Sequence, residues 1–237
     1  MSQAEQKGPL APKSKDEAIS AFVEAARAAP VAAASGRGRL IFALDATMSR
    51  QPTWDLALDL QSRMFQVAAQ SGGLDVQLVY FRGMSECRAS KFVSGGRGLA
   101  ALMAKIDVRG GKTQIRKVLS HAANEAARAK VAVLVFVGDA MEENVDDLCA
   151  RAGRLALHGV KAFMFLEGDN PAAGRAFREI ARLTGGAFGA FDAGAAGRLG
   201  QLLRAAAAYA AGGRAALERQ AAGNDEARLL LGQMRQG

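Results

Sequence analysis

Apolar and polar positions follow two different periods along this chain, and the order of those periods predicts a sheet wrapped in helices. Residues 40–44 and 133–137 are unbroken apolar runs, the pattern of strands buried on both faces. Residues 74–81 are rich in Val, Leu and aromatics, and residues 86–93 follow after a short turn at Gly83, so the two read as a strand pair. Further strands are expected at 160–166 and 187–191. Helical spacing fills the gaps. Pro52 stands at a first helical position, and Trp54, Leu58, Met64, Phe65 and Ala68 continue the segment to Gly72-Gly73. Residues 99–106, 114–129, 175–183 and 199–209 are the other expected helices. This alternation implies an α/β fold, doubly wound, with a mostly parallel central sheet and helices on both faces.

The ends of the chain read differently. Residues 1–14 combine Gly, two Pro and mixed charge without apolar periodicity, which predicts a mobile tail. Ser14 and Glu17 form a capping box, and Ile19, Phe22, Val23 and Ala26 then recur at helical spacing up to Pro30. An Ala-, Ser- and Gly-rich linker at 31–38 follows. At the other end, Leu229, Leu230, Leu231 and Met234 form a small apolar cluster interrupted by Gly223 and Gly232, the pattern of a frayed helix that docks on its own domain or on another chain. The expected organisation is therefore an extension at 1–38, one domain at 39–211, and a partly helical tail at 212–237. No signal-peptide core and no stretch of the roughly 18 to 20 apolar residues needed to span a membrane is visible, so a soluble, cytoplasmic protein without membrane partners is expected.

Chemistry gathers where the apolar runs stop. Asp45, Thr47 and Ser49 place a carboxylate and two hydroxyls at every second position after the first strand, in the crevice where open α/β sheets build sites. Taken alone, these residues also suit a polar turn into a helix. Oxygen donors on a tight loop suit a hard cation such as magnesium, which takes about six oxygens and keeps some waters. Two distant loops supply more oxygens: Lys112-Thr113 after a double glycine, and Asp139 after the run at 133–137.

The order Asp-x-Thr-x-Ser, then a distant Thr, then a distant Asp after a hydrophobic strand, resembles the metal-ion-dependent adhesion site of von Willebrand factor type A domains of the intracellular bacterial kind. The resemblance extends from about residue 39 to 209. It implies a divalent cation, Mg2+ or Mn2+, surrounded by Asp45, Thr47, Ser49, Thr113 and Asp139, some directly and some through water. It also implies that the third strand is antiparallel at the sheet edge, where the charges of Arg88 and Lys91 fit. One position departs from the family pattern: Thr47 stands where Ser is usual, which keeps the hydroxyl and adds a methyl. The implied function is a metal-dependent protein-binding or scaffolding module, not an enzyme, whose cation takes an Asp or Glu carboxylate from a partner protein.

Charge brings in a competitor. Lys and Arg total 31 against 23 acidic residues, giving a formal charge of +8 and a pI near 9.9, and Arg109, Lys112, Arg116 and Lys117 lie close in sequence. A basic surface that binds nucleic acid without a metal bridge is the alternative reading. The remaining basic residues are dispersed, with no aromatic interleaving and no recognition-helix motif. The acidic run Glu142, Glu143, Asp146 and Asp147 is expected to meet a helix dipole or to rim the metal mouth.

Other chemistries fit poorly. A phosphate-binding P-loop matches at Gly111-Lys112-Thr113, but the glycine such a loop needs further upstream is Ile106 here. A dehalogenase-like phosphatase would place a second Asp where Thr47 stands. No G-x-S-x-G elbow accompanies His121 or His158. Cys87 and Cys149, the two cysteines of the chain, have neither disulfide-framework nor metal-ligand spacing.

Overall fold

A computed structural model describes residues 36–47, 55–56, 63–64, 66–67, 70, 72–106, 109–192 and 195–234. The expected N-terminal tail and helix, most of the helix after Pro52, and Ser49 lie outside the described residues. Six strands form one sheet: β1 (Gly38–Asp45), β2 (Leu74–Arg82), β3 (Glu86–Ser94), β4 (Val133–Gly138), β5 (Lys161–Glu167) and β6 (Ala187–Phe191). Their order across the sheet is β3-β2-β1-β4-β5-β6. Every neighbouring pair is parallel except β2–β3, so β3 is an antiparallel edge strand, as expected, with Arg88 and Lys91 exposed on it.

β1 is central, and alternate residues serve opposite layers. Leu40, Phe42 and Leu44 join one core with Val133, Val135, Phe163 and Phe165, and Ile41 and Ala43 join the other with Leu134, Phe136 and Met164. Burial on both faces is why its sequence reads as a continuous apolar run. Two groups of helices provide the covering layers. Helices α2 (Ile115–Arg128), α3 (Val145–Leu157) and α4 (Pro171–Leu183) pack on the second core, whereas α1 (Gly96–Met103), α5 (Ala196–Ala221) and α6 (Asp225–Gln233) pack on the first. The aromatic centre of the second layer is Phe136, stacked on Phe81 at 6.0 Å and edge-on to Phe177 at 5.3 Å.

Two helices are longer than their apolar spacing suggested. α4 starts at Pro171 because the Asn170 side chain accepts from the Ala172 and Ala173 N–H groups and proline needs no donor at a first position. α5 continues past Tyr209 through a kink at Gly212 and Gly213, where Gly213 takes φ +62°. Leu217, Ala227, Leu230 and Leu231 are then buried in the first core, so the C-terminal apolar cluster docks on its own domain, with Leu229 left exposed. No described helix is long and apolar enough to cross a membrane.

β6 forms the second sheet edge, and the C-terminal helix covers part of it. The Gln233 amide donates to the Phe188 carbonyl at 2.8 Å, and its oxygen accepts the Phe188 N–H at 2.7 Å. One side chain thus satisfies both outward backbone groups of Phe188, as an added strand would.

His121 ties α2 to the sheet: its Nε2 lies 2.9 Å from Gln77 Oε1 on β2. Partial burial holds the imidazole below the ordinary histidine value of 6.5, against the opposing pull of Glu125. The unfolded chain therefore takes up a proton at a higher pH than the native protein does. Stability contributed by neutral His121 is present above the unfolded value and is lost as pH falls through 6.5 toward the lowered native value. The melting temperature of the wild type should fall over this window more steeply than that of His121→Gln; parallel pH profiles would contradict the assignment.

Candidate metal centre

The chain leaves β1 toward β2 on one side, and β4 lies on the other, so the boundary between β1 and β4 is the point where the winding of the sheet reverses. Leu44 pairs with Val137 across it, which brings Asp45 and Asp139 out at neighbouring strand ends. Asp45 is 3% exposed, and one of its oxygens accepts the Thr47 N–H at 2.9 Å, a short loop that turns the chain sharply off the strand.

Thr113 arrives from a loop held at several points. The Arg109 N–H donates to the Ala46 carbonyl at 2.9 Å, and the Lys112 N–H donates to the Gly83 carbonyl at 3.1 Å. The Gln114 amide reaches the carbonyls of Arg82 and Glu86 at the hairpin between β2 and β3. Gly111 is required for this approach: a Cβ there would stand 2.3 Å from both the N and O of Gly83. The loop is thereby fixed against two strand ends before α2 begins.

The acidic run divides its roles. Glu143 caps α2 from across the crevice, accepting from Ile115 N–H at 2.5 Å and Arg116 N–H at 3.1 Å. Desolvation pushes its carboxyl upward, opposed by those two backbone bonds. Asn144 caps α3 through the Asp147 N–H, with Asp146 and Asp147 in that helix's first turn. Glu142 does something else. Its carboxylate accepts the Thr113 N–H at 3.3 Å, while its own N–H donates to Thr113 Oγ1 at 3.2 Å. This reciprocal pair fixes the direction of the Thr113 hydroxyl and leaves that oxygen a second lone pair.

Asp45, Thr47, Thr113, Asp139 and Glu142, with Gly111 and Ala140, line one cleft of about 170 Å³. Four of the five residues expected at a cation therefore meet, and Ser49 lies outside the described residues. Sequence alone leaves Glu142 open between dipole and mouth, because its direction depends on a partner 29 positions away. No three His, Cys, Asp or Glu side chains among the described residues group as a metal cluster by themselves. A cation in this cleft would need the hydroxyls as well as the carboxylates, an all-oxygen donor set that suits a hard divalent ion. The residues present fit such an ion.

The other candidates are placed elsewhere. His121 is bonded to Gln77, and His158 ends α3. Cys87 and Cys149 are free, and desolvation pushes the Cys87 thiol up to about 11, so it is inert at neutral pH. All four cations of the basic stretch are exposed; Arg116 faces Asp147 at 3.8 Å, and Lys117 donates to the Ser85 carbonyl and the Gln114 amide.

No protein-family model and no curated protein sequence matches the chain. Solved structures do. The VWA domain of SpRpn10 superposes with a TM-score of 0.55 at 12% identity, covering 75% of this chain and 97% of that domain. Proximal thread matrix protein 1 from the mussel byssus, in a form with a zinc-occupied MIDAS motif, gives 0.54 at 16% identity, over 73% of this chain and 46% of that one. The pilus adhesin SpaC from Lactobacillus rhamnosus GG gives 0.57 at 9% identity, over 73% of this chain; the match spans only 30% of the adhesin. The fold is that of a von Willebrand factor A domain, a Rossmann-like α/β sheet with one antiparallel edge.

The Gly111–Gly83 contact can be tested directly. Gly111→Ala forces a methyl onto backbone atoms, so it should lower unfolding free energy by about 1–3 kcal/mol in a denaturant titration. The amide resonances of Thr113 and Glu142 should shift with it. Unchanged stability and spectra would show that the loop is not held this way.

Proposed function

We propose that this protein is a binding or scaffolding module, not an enzyme, which holds one divalent cation, Mg2+ or Mn2+, and offers it to a carboxylate of a partner protein in the cytoplasm. The observation that carries the proposal is the convergence of Asp45, Thr47, Thr113 and Asp139 from three separate loops on one cleft. The fold shared with VWA domains, one of them with a zinc-occupied MIDAS motif, supports it.

In this reading Asp45, Thr47, Thr113 and Asp139, together with Ser49, hold the ion, directly or through water. The bound cation would supply a positive Lewis-acid position for an anionic oxygen. The protein's own groups do the rest. Glu142 orients the Thr113 hydroxyl, the Asp45–Thr47 turn fixes the first carboxylate, and the exposed Lys112 on the mouth loop favours an acidic approach. Neutral hydroxyls in the shell leave more positive charge on the ion than an all-carboxylate shell would, which favours an Asp or Glu from outside.

Calorimetric titration with Mg2+ or Mn2+ should give one site per chain in the wild type. Asp45→Ala should abolish binding with the fold intact. Thr113→Val keeps the shape but loses the oxygen, and should weaken the ion by at least the about 10- to 100-fold typical of an outer-shell partner. Equal binding by wild type and Asp45→Ala would remove the assigned site.

The partner contact has its own test. A complex captured from the native cell should dissociate in EDTA, return with magnesium, and be lost when one partner Asp or Glu is changed to its amide. Lys112→Ala should weaken the complex without abolishing cation binding. A complex that survives EDTA and weakens only with rising salt, or a DNA complex with that behaviour, would favour the basic-surface reading instead.

A further inference from the structure

A second cleft, of about 370 Å³, lies where the strands begin instead of where they end. Lys161 opens β5, and Gly185 and Gly186 lead into β6, so this cleft is at the end of the sheet opposite Asp45 and Asp139. Arg178, Arg182, Gly185, Gly186, Phe188 and Gln233 line it. Lys161 stands against Gly185, its Nζ 2.7 Å from where a Cβ on that residue would be. A glycine at φ +59° both permits the turn and leaves room for the ammonium.

Positive charge here exceeds what the fold neutralises. Arg182 is engaged by Glu179 through bonds of 2.8 and 2.6 Å. Arg178 lies over Phe188, its guanidinium carbon 4.3 Å from the ring centroid. Among the described residues neither Arg178 nor Lys161 has a carboxylate partner. The carboxyl-terminal end of α4 gives these cations an electrostatic reason to gather, but a helix end carries only about half an elementary charge. That is too little to balance three cations set against one carboxylate. Half-burial of Lys161 also pushes its ammonium pKa down by desolvation.

The neutral donors of the cleft are already used. The Gly185 and Gly186 N–H groups donate to the Arg182 and Ala181 carbonyls, and the Gln233 amide is spent on Phe188. A ligand would thus be recognised by charge and by the planar arginine fork, not by neutral hydrogen bonds. Two cations without partners call for a compact group with two negative charges, and a phosphate offers both the charge and the oxygens that match a guanidinium. The volume falls at the lower end of the range of small-molecule pockets, about 300–1,000 Å³.

We propose that this cleft is a binding site for a small phosphate-bearing ligand, held by the lining guanidiniums of Arg178 and Arg182, with the ammonium of Lys161, beside Gly185, adding to the positive charge. The ligand's phosphate is either the free ion or a phosphomonoester. The site is independent of the cation cleft at the other end of the sheet.

The test is a 1H–15N NMR titration of the full chain with inorganic phosphate and, separately, ribose 5-phosphate, in EDTA and at ionic strength held constant with NaCl. The amides of Gly185, Gly186 and Phe188 should move saturably while those of Thr113 and Ala140 stay in place. Arg178→Gln should weaken binding by about tenfold, the usual scale for one charged hydrogen bond, and Lys161→Gln, which removes a neighbouring charge, by a smaller factor. Lys161→Met, which keeps the aliphatic stem, replaces Lys161→Gln if that variant fails to fold. Tighter binding of ribose 5-phosphate identifies an ester as the ligand, and equal binding identifies the free ion. The proposal is overturned if no saturable movement occurs at those amides, or if the substitutions leave it unchanged. Because EDTA removes divalent ions, neither outcome depends on whether the other cleft holds a cation.

Discussion

The parallel pairing of β1 with both β2 and β4, in the middle of a sheet covered on both faces, is the constraint on which the rest of the molecule depends. A strand buried on both sides has no room for polar groups along its length, so they appear where it ends. Asp45 is the last residue of β1 and is still almost fully enclosed, which holds its carboxylate at one place relative to β4. The oxygens from the other loops are then brought to it. Arg109 and Lys112 reach back to the exits of β1 and β2 through backbone hydrogen bonds, and the contact of Gly111 with Gly83 sets how closely the Thr113 loop can come. The site is pre-organised because its loops are tied to strand ends, not to one another alone.

Polarity along the sheet axis follows from the same parallel arrangement. Strand carboxyl ends and the starts of α2 and α3 share one pole, where Glu142, Glu143, Asp146 and Asp147 collect around positive helix ends. The end of α4 lies at the other pole with Lys161, Arg178 and Arg182. The formal charge of +8 is not divided cleanly between the poles, because Arg109, Lys112, Arg116 and Lys117 share the first pole with the acidic run. Both sheet edges are managed as well. β3 carries exposed Arg88 and Lys91, and at β6 the Gln233 side chain occupies the outward backbone groups of Phe188.

Much of the fold was legible because burial on two faces leaves a clear trace: the runs at 40–44, 133–137 and 160–166 became β1, β4 and β5 within a residue or two at each end. What was less legible depended on single polar residues or on distant partners. α4 begins before its apolar spacing does, because Asn170 and Pro171 start it and its first turn is small residues. α5 runs on through a kink at two glycines that read locally as an end. Of the residues that line the cleft, Asp45, Thr47, Thr113 and Asp139 were marked in the sequence by the resemblance to the metal-ion-dependent adhesion site together with their places after strands and glycines. Glu142 could not be assigned, because nothing local distinguishes a carboxylate that answers Thr113 from Glu143, one position on, which caps another helix.

The proposed divalent cation sits at the meeting point of β1 and β4. Paramagnetic broadening by Mn2+ at substoichiometric concentration reads that location without relying on a partner or on a substitution. The amide signals of Asp45 to Thr47, Gly111 to Thr113 and Asp139 to Glu142 should be lost selectively, with those of Gly185 and Gly186 at the opposite end left sharp. Broadening centred on another group of carboxylates, or spread evenly over the acidic surface, would contradict it.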